Sequence, residues 1–385
     1  MIINIKIFLL IFLFTECIFA DFEYKVDNTN ITTLEDTNIN NKDESYLYNY
    51  NRLRFRTDYN EDSYFASIIV DGVNYLGHNY INSNRFEYLK LVSSDTPFKT
   101  QSNFKDYRDG SIYTKIYRFY AGYEDRYNKL VIGLQAISMG VGRIWTPTNI
   151  FNPKNVYALE PDEVFGSTAI SYTRYIDDTS HLTAVVSKKA DHSFKYALRY
   201  KTFLNIADFA VNFVSSNNTK MLGYELEGNL ADTGVELRSE GAYIKADMKT
   251  ISGEFEKEFF QGIFGADYGF ENGVSLACEV LYSTKEFSYE DVILNYKSEI
   301  LSNMLNSKLY SGATLNYSFN IFLDASLLYI ESFNDKNSRF VSPSMKYTLN
   351  DINSFSLGAM LQYGDSSSQF TNKDKRYYFK WSLSF

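Results

Sequence analysis

The feature that most constrains this chain is a period of two. From residue 45 to the C-terminus, segments of roughly ten residues alternate apolar and polar side chains, the period of a β-strand and not the 3.6 of a helix. In the last segment Tyr377, Phe379, Trp381, Leu383 and Phe385 fall on one face and Tyr378, Lys380, Ser382 and Ser384 on the other. Phe194, Tyr196, Leu198 and Tyr200 alternate with Lys195, Ala197, Arg199 and Lys201. Leu222, Tyr224 and Leu226 alternate with Gly223, Glu225 and Glu227. The spacing predicts strands over 45–58, 62–72, 84–92, 111–123, 128–138, 166–176, 180–189, 193–203, 205–216, 219–229, 233–245, 257–270, 273–284, 308–319, 321–331, 338–349, 353–364 and 376–385. Segment 84–92 decides whether the count is even.

Alternation also fits a soluble β-sandwich. Three observations favour a barrel that spans a membrane. The segments are too many for one sandwich. The apolar faces often end in Tyr or Phe, as at the aromatic girdles of a bilayer interface. The opposite faces carry charge and small residues, as a wet lumen would. The gaps 93–110, 139–165, 246–256, 285–307 and 365–375 all follow odd-numbered segments, whereas the even-numbered ones end mostly in tight turns. Long loops at one end and short turns at the other are the asymmetry of a transmembrane barrel. The gap 73–83 breaks it. The expected fold is all-β: a single transmembrane antiparallel up-and-down β-barrel over 45–385, of about eighteen strands, with sixteen as the alternative count.

Residues 1–20 read as a signal peptide: Lys6, a short apolar run from Ile7 to Phe14, and Ala20 at the cut. Residues 21–44, rich in Asn, Asp and Thr and without periodicity, are expected to be a flexible periplasmic N-terminal segment. Beyond Ala20 no apolar run approaches the length of a spanning helix. With the signal peptide gone, Cys278 is the remaining cysteine, and its alternation with Leu276 and Val280 puts it on the outward face.

Composition excludes other classes. With 38 basic against 47 acidic side chains and a net charge of −9, a nucleic-acid partner is disfavoured. Two cysteines and three histidines do not build a disulfide or zinc scaffold, and no metal or cofactor is expected. His78, His181 and His192 lie in no nucleophile or metal motif, so the chain does not read as an enzyme.

Two regions carry the candidate chemistry. If Leu53 and Phe55 face lipid, then Arg52, Arg54 and Arg56 face the lumen, because Arg on the lipid face costs about 2–4 kcal/mol near the midplane. This ladder, with Lys195, Arg199 and Arg238, would guide anions, or would pair with lumen carboxylates; Glu225, Glu227, Glu236 and Glu240 are available for that. The second region is 139–165, which holds three of the five prolines and one of two tryptophans. An apolar, proline-stiffened loop does not suit bulk water. It suits a constriction folded against the wall, with Arg143, Trp145, Pro147, Asn149, Asn152 and Pro153 as its candidate residues.

Strand Leu130–Ser138 and this loop resemble porin-like outer-membrane barrels, the alginate-export type among them. Gly133, Gln135, Gly140, Pro147, Asn152 and Pro153 match, while Leu134, Met139 and Asn149 depart from the pattern. The terminal Phe385, with Tyr377, Phe379, Trp381 and Leu383 before it, resembles the C-terminal signal read by the barrel-assembly machinery. The resemblance implies a Gram-negative outer-membrane channel for small hydrophilic solutes, narrowed by loop 139–165. Its partners would be outer-membrane lipid, the assembly machinery, a small solute, and a second copy in a homo-oligomer. The alternatives are a non-conducting structural or adhesive barrel and, more remotely, an outer-membrane hydrolase.

Overall fold

A computed structural model describes residues 22–39, 42–250, 253–333, 338–365, 368–370 and 374–385; the expected signal peptide, 1–20, lies outside the described residues. Nineteen strands form one antiparallel sheet. Eighteen of them make a closed ring: β1 (Phe22–Ile39), β2 (Lys42–Glu61), β3 (Tyr64–Leu76), β4 (Gly110–Glu124), β5 (Asn128–Gln135), β6 (Ser167–Tyr175), β7 (His181–Lys188), β8 (Phe194–Phe203), β9 (Asp208–Ser215), β10 (Thr219–Asn229), β11 (Val235–Thr250), β12 (Gly253–Gly269), β13 (Val274–Ser283), β14 (Leu309–Asn320), β15 (Leu323–Phe333), β16 (Ser338–Thr348), β17 (Asn353–Tyr363) and β18 (Lys375–Ser384). The nineteenth, Lys105–Tyr107, is a short strand inside a loop that pairs back onto β4.

The ring closes where β18 meets β1, in register from Asp27 opposite Ser384 to Asp36 opposite Lys375. Val26 and Phe385 exchange both backbone hydrogen bonds, at 3.1 and 2.9 Å. Closure leaves the ring without an edge strand among the described residues.

Two expectations are corrected here. Within the segment 21–44 expected to be flexible, residues 22–39 are β1, the strand that closes the barrel, and 42–44 begin β2. The 84–92 segment is not a strand but part of a helix, Asn84–Leu91. The Ser83 hydroxyl caps it by accepting from the Phe86 N–H at 3.3 Å. Phe86 is fully buried and Leu89 packs beside it, one helical turn on, while Tyr88 is exposed. One strand lost and one gained keep the count at eighteen. They also remove the misplaced gap: 73–83 and 93–110 belong to one long connection, 77–109, at the same end as the other long loops. We call that the loop end. The other, with turns such as Asp62–Ser63 and Asp125–Tyr127, is the turn end.

The outward face is apolar along most strands, with Phe379, Trp381, Leu357, Val280 and Phe264 exposed. Cys278 is exposed on that face, as its alternation predicts. The buried clusters lie inside the ring, where inward residues meet infolded loops, and not between layers.

Candidate functional site: a loop belt inside the barrel

Helices α1 (His78–Ile81) and α2 (Asn84–Leu91) of loop 77–109 pack onto the inward Tyr46, Tyr48, Val73 and Tyr75 near the loop end. Tyr80 stacks on Tyr48 with ring centroids 3.8 Å apart. Arg85, one residue into α2, reaches Glu35 and Thr37 on β1.

Loop 136–166 forms a belt around the inner wall. Its first part is held through its own backbone. Glu225, Glu240 and Glu279, on β10, β11 and β13, project inward and are almost fully buried. Glu225 accepts from the Gly140 N–H at 2.8 Å. Glu240 accepts from Val141 at 2.8 Å, Gly142 at 3.1 Å and Thr148 at 2.7 Å, and from the Thr148 hydroxyl at 2.7 Å. Glu279 accepts from Arg143, from Ile144 at 2.9 Å and from Trp145 at 3.2 Å. A non-repetitive loop inside a barrel would otherwise bury unpaired N–H groups. Carboxylates are the strongest acceptors the wall offers. Gly140 is required at its position: its φ is +93°, and a Cβ there would lie 2.6 Å from the Glu240 carboxylate.

Side chains complete the seating. Arg143 turns toward the turn end and meets Glu236 at 2.7 Å, Glu227 at 3.1 Å and Asp267 at 3.2 Å. Arg238, fully buried, lies among Asp267, Glu279 and Glu236. Trp145 packs against Tyr310, centroids 5.9 Å apart, and over Gly312, where a side chain would collide with it. The Pro147 carbonyl accepts from Asn303 of loop 284–308 at 3.0 Å, stacking the second loop on the first. Asn149 and Asn152 brace each other. Asn152 also ties the two ends of the loop together, accepting from the Ile137 N–H at 2.6 Å and donating to the Phe165 carbonyl. Pro153 follows directly, and Lys195 donates to the Ile150 carbonyl at 3.1 Å.

The second part of the belt is acidic and crosses to the arginine ladder. Arg52 pairs with Glu160 at 3.0 Å and Glu163 at 3.1 Å. Arg54 pairs with Glu163 and Asp71, both at 2.7 Å, and Arg56 pairs with Asp58. Burial would raise the Glu163 carboxyl; the Arg54 hydrogen bond and the charges of Arg52, Arg54 and Lys115 outweigh it, so it sits below the ordinary glutamate range. Lys380 on β18 holds Glu160 at 3.0 Å.

The arginines therefore face the lumen but are not a bare strip. Their carboxylates come from the loop, β2 and β3, whereas Glu225, Glu227, Glu236 and Glu240, read from sequence as available counter-charges, serve the loop backbone, Arg143, Arg199 and Arg238. Arg199 reaches Glu225 at 2.6 Å. Glu160, Glu163 and Glu279 went unnoticed in the sequence; an inward acidic residue opposite backbone amides has no sequence signature.

Between the belt and the turn end lies a cavity of about 550 Å³ against β1, β2 and β16–β18, with Lys25, Arg52, Glu160, Lys346 and Lys380 on its wall. A second, of about 410 Å³, shares Leu159, Lys346 and Lys380 and extends along β14–β17. Their walls mix hydroxyls, amides and charges of both signs with apolar surface, Leu159 included. Lys346 is exposed to this space and makes no ion pair among the described residues. Such a space suits hydrated, polar solutes.

No family model matches the chain, and no curated protein is similar to it in sequence. Solved structures are similar in fold. One is OccAB1 of Acinetobacter baumannii, with a TM-score of 0.63 and 11% identity over 94% of this chain and 96% of that one. Others are OccK2 (OpdF) of Pseudomonas aeruginosa in complex with glucuronate, at 0.55, 10%, 94% and 98%, and OpdK of Pseudomonas aeruginosa with vanillate, at 0.55, 9%, 94% and 98%.

Proposed function

We propose that the protein is a channel of the bacterial outer membrane, passing small hydrophilic solutes without catalysis. The observation that carries this reading is the closed eighteen-strand ring with an apolar outside and a polar, loop-narrowed inside. A barrel of this size has room for an aqueous path unless loops fill it. The turn end faces the periplasm and the loop end the exterior, because short periplasmic turns and long outer loops are the rule for such barrels. The C-terminal residues Tyr377, Phe379, Trp381, Leu383 and Phe385 act as the assembly signal. Solutes pass along the wall of β14–β18 and β1–β2, next to Lys346 and Lys380. Two similar barrels hold carboxylates, glucuronate and vanillate, which supports a small organic anion as solute. The paired ladder then serves mainly to anchor the belt, and the less neutralised lysines set the preference.

Single-channel conductance in planar bilayers under a salt gradient tests this reading, on the full barrel and on a variant lacking residues 143–157. Steady conductance with an anion-selective reversal potential is expected, larger in the deletion variant. Silence in both would overturn the channel reading and favour a structural or adhesive barrel.

A further inference from the structure

Among the described residues, the apolar belt of the outward face is interrupted on β1 and β2. On β1 and β2 the outward residues at mid-strand are Asn28, Asn30 and Thr32, and Asn49 and Asn51. In register, Asn30 faces Asn51 and Thr32 faces Asn49, while Asn51 faces Asn74 on β3. On the other side Asn28, Asn30 and Thr32 face Leu383, Trp381 and Phe379 of β18, so the amides sit at the level of its apolar row. Exposed leucines bound the patch on both sides: Leu34 and Leu47 toward the loop end, Leu53 toward the turn end. The amides are thus within the belt and not at its rim.

Their bonds to one another are incomplete. Asn49 donates to Asn30 at 2.9 Å and to Thr32 at 3.0 Å, Asn30 donates back to Asn49 at 3.4 Å, Asn28 and Asn51 donate to each other at 3.3 and 3.5 Å, and Asn28 also donates to the Arg52 carbonyl at 3.2 Å, which leaves one N–H each on Asn30 and Asn51 over among the described residues. A carboxamide offers two donors and an acceptor with two lone pairs. Water would fill the remainder; hydrocarbon cannot. Beside the patch, Gly72 faces Leu53, and a Cβ there would meet only the Leu53 carbonyl at 4.0 Å, so the wall has a notch.

We infer that this seam is the contact surface for a second copy of the chain, an interface made within the bilayer by amide–amide hydrogen bonds across a two-fold axis. A carboxamide is its own complement, so the same patch on two copies satisfies itself, as an isologous contact requires. Exposed leucines around it complete the contact, and the Gly72 notch admits a side chain from the partner copy. The inference rests on the membrane reading above, because only in lipid does the patch want a partner.

The test uses the full barrel carrying Cys278→Ser, folded into lipid nanodiscs. Its mass is measured by native mass spectrometry, alongside a variant with Asn28, Asn30, Asn49 and Asn51 all changed to Leu. A dimer is expected for the parent. The variant, with unchanged heat-modifiable migration, should dissociate about tenfold or more readily. Because four changes together could impair folding, single-cysteine barrels give a second readout. Asn51→Cys should form a disulfide-linked dimer under mild oxidation, and Leu222→Cys, exposed on β10 across the ring, should not. A parent that inserts normally but is monomeric, or a dimer that survives the leucine variant with no Asn51→Cys cross-link, overturns the inference. Cross-linking of Asn51→Cys only to other proteins in native membranes overturns it in favour of a hetero-partner. A parent that does not insert into bilayers at all overturns the membrane reading itself, and the interface with it.

Discussion

Glu240→Gln should release the belt from the wall. The carboxylate oxygens divide the work: one accepts from Val141 and Gly142, the other from the amide and hydroxyl of Thr148. Glutamine keeps one oxygen and replaces the other by NH2; turned toward Thr148, the NH2 meets a hydroxyl that can rotate to accept from it and an N–H that cannot. The Thr148 N–H bond is lost, worth about 1.5–3 kcal/mol to a charged acceptor, and the Val141 and Gly142 bonds pass to a neutral oxygen. The cost to the seated loop is therefore about 3 kcal/mol before any repulsion is added. At 3 kcal/mol the undocked fraction rises by about a hundredfold. The barrel ladder is untouched, because the side chain points inward and β11 keeps its backbone partners on β10 and β12. The assay is single-channel recording at fixed voltage, with heat-modifiable migration as the folding control. Larger conductance steps or excess open-channel noise are expected. A folded Glu240→Gln barrel with the wild-type current trace would refute the idea that buried carboxylates hold the loop through its amides.

Further outcomes follow from the same geometry. Removing residues 22–39 should abolish folding outright, read as loss of heat-modifiable migration, since it opens a seam between β18 and β2. Gly312→Leu should loosen the belt and raise conductance, because even a Cβ there would lie 2.5 Å from Ile144 and 3.0 Å from Trp145. Lys346→Met should move the reversal potential toward cation selectivity more than Arg54→Met, whose guanidinium is already balanced by Asp71 and Glu163. Acid should release the belt. Glu163 titrates below its ordinary value of 4.5, so its anchoring is fully present above that pH and is lost as pH falls through the depressed one. The Glu163 contribution to channel noise should therefore appear only as pH falls below about 4.5.

Much of this fold is legible in the sequence, and the physical reason is local. A strand with one face in lipid and one in water must alternate, and the alternation survives in β8, β10, β17 and β18 whatever the neighbours do. The prolines and Trp145 likewise mark 139–165 as a loop that avoids bulk water. Two elements misled the reading. Segment 84–92 alternates by accident over seven residues, and only its docking onto Tyr75 and Tyr80 selects the helix. β1 escapes the pattern because its mid-strand outward positions are Asn28, Asn30 and Thr32 and its inward ones include Thr29, Thr33 and Thr37, so it lacks the apolar row that defines the others; pairing on both sides makes it a strand.

The sequence by itself determined the class of the molecule, the direction the faces of most strands take and the side of the wall on which Arg52, Arg54 and Arg56 lie, because these depend only on a period of two and on the cost of charge in lipid. Tertiary structure alone decided what those charges do. Glu160 and Glu163 lie more than a hundred residues from the arginines they neutralise, and Glu240 lies 92 to 99 residues beyond the amides it holds. A loop that crosses the barrel brings together residues from opposite sides of the ring, and no local pattern encodes that meeting.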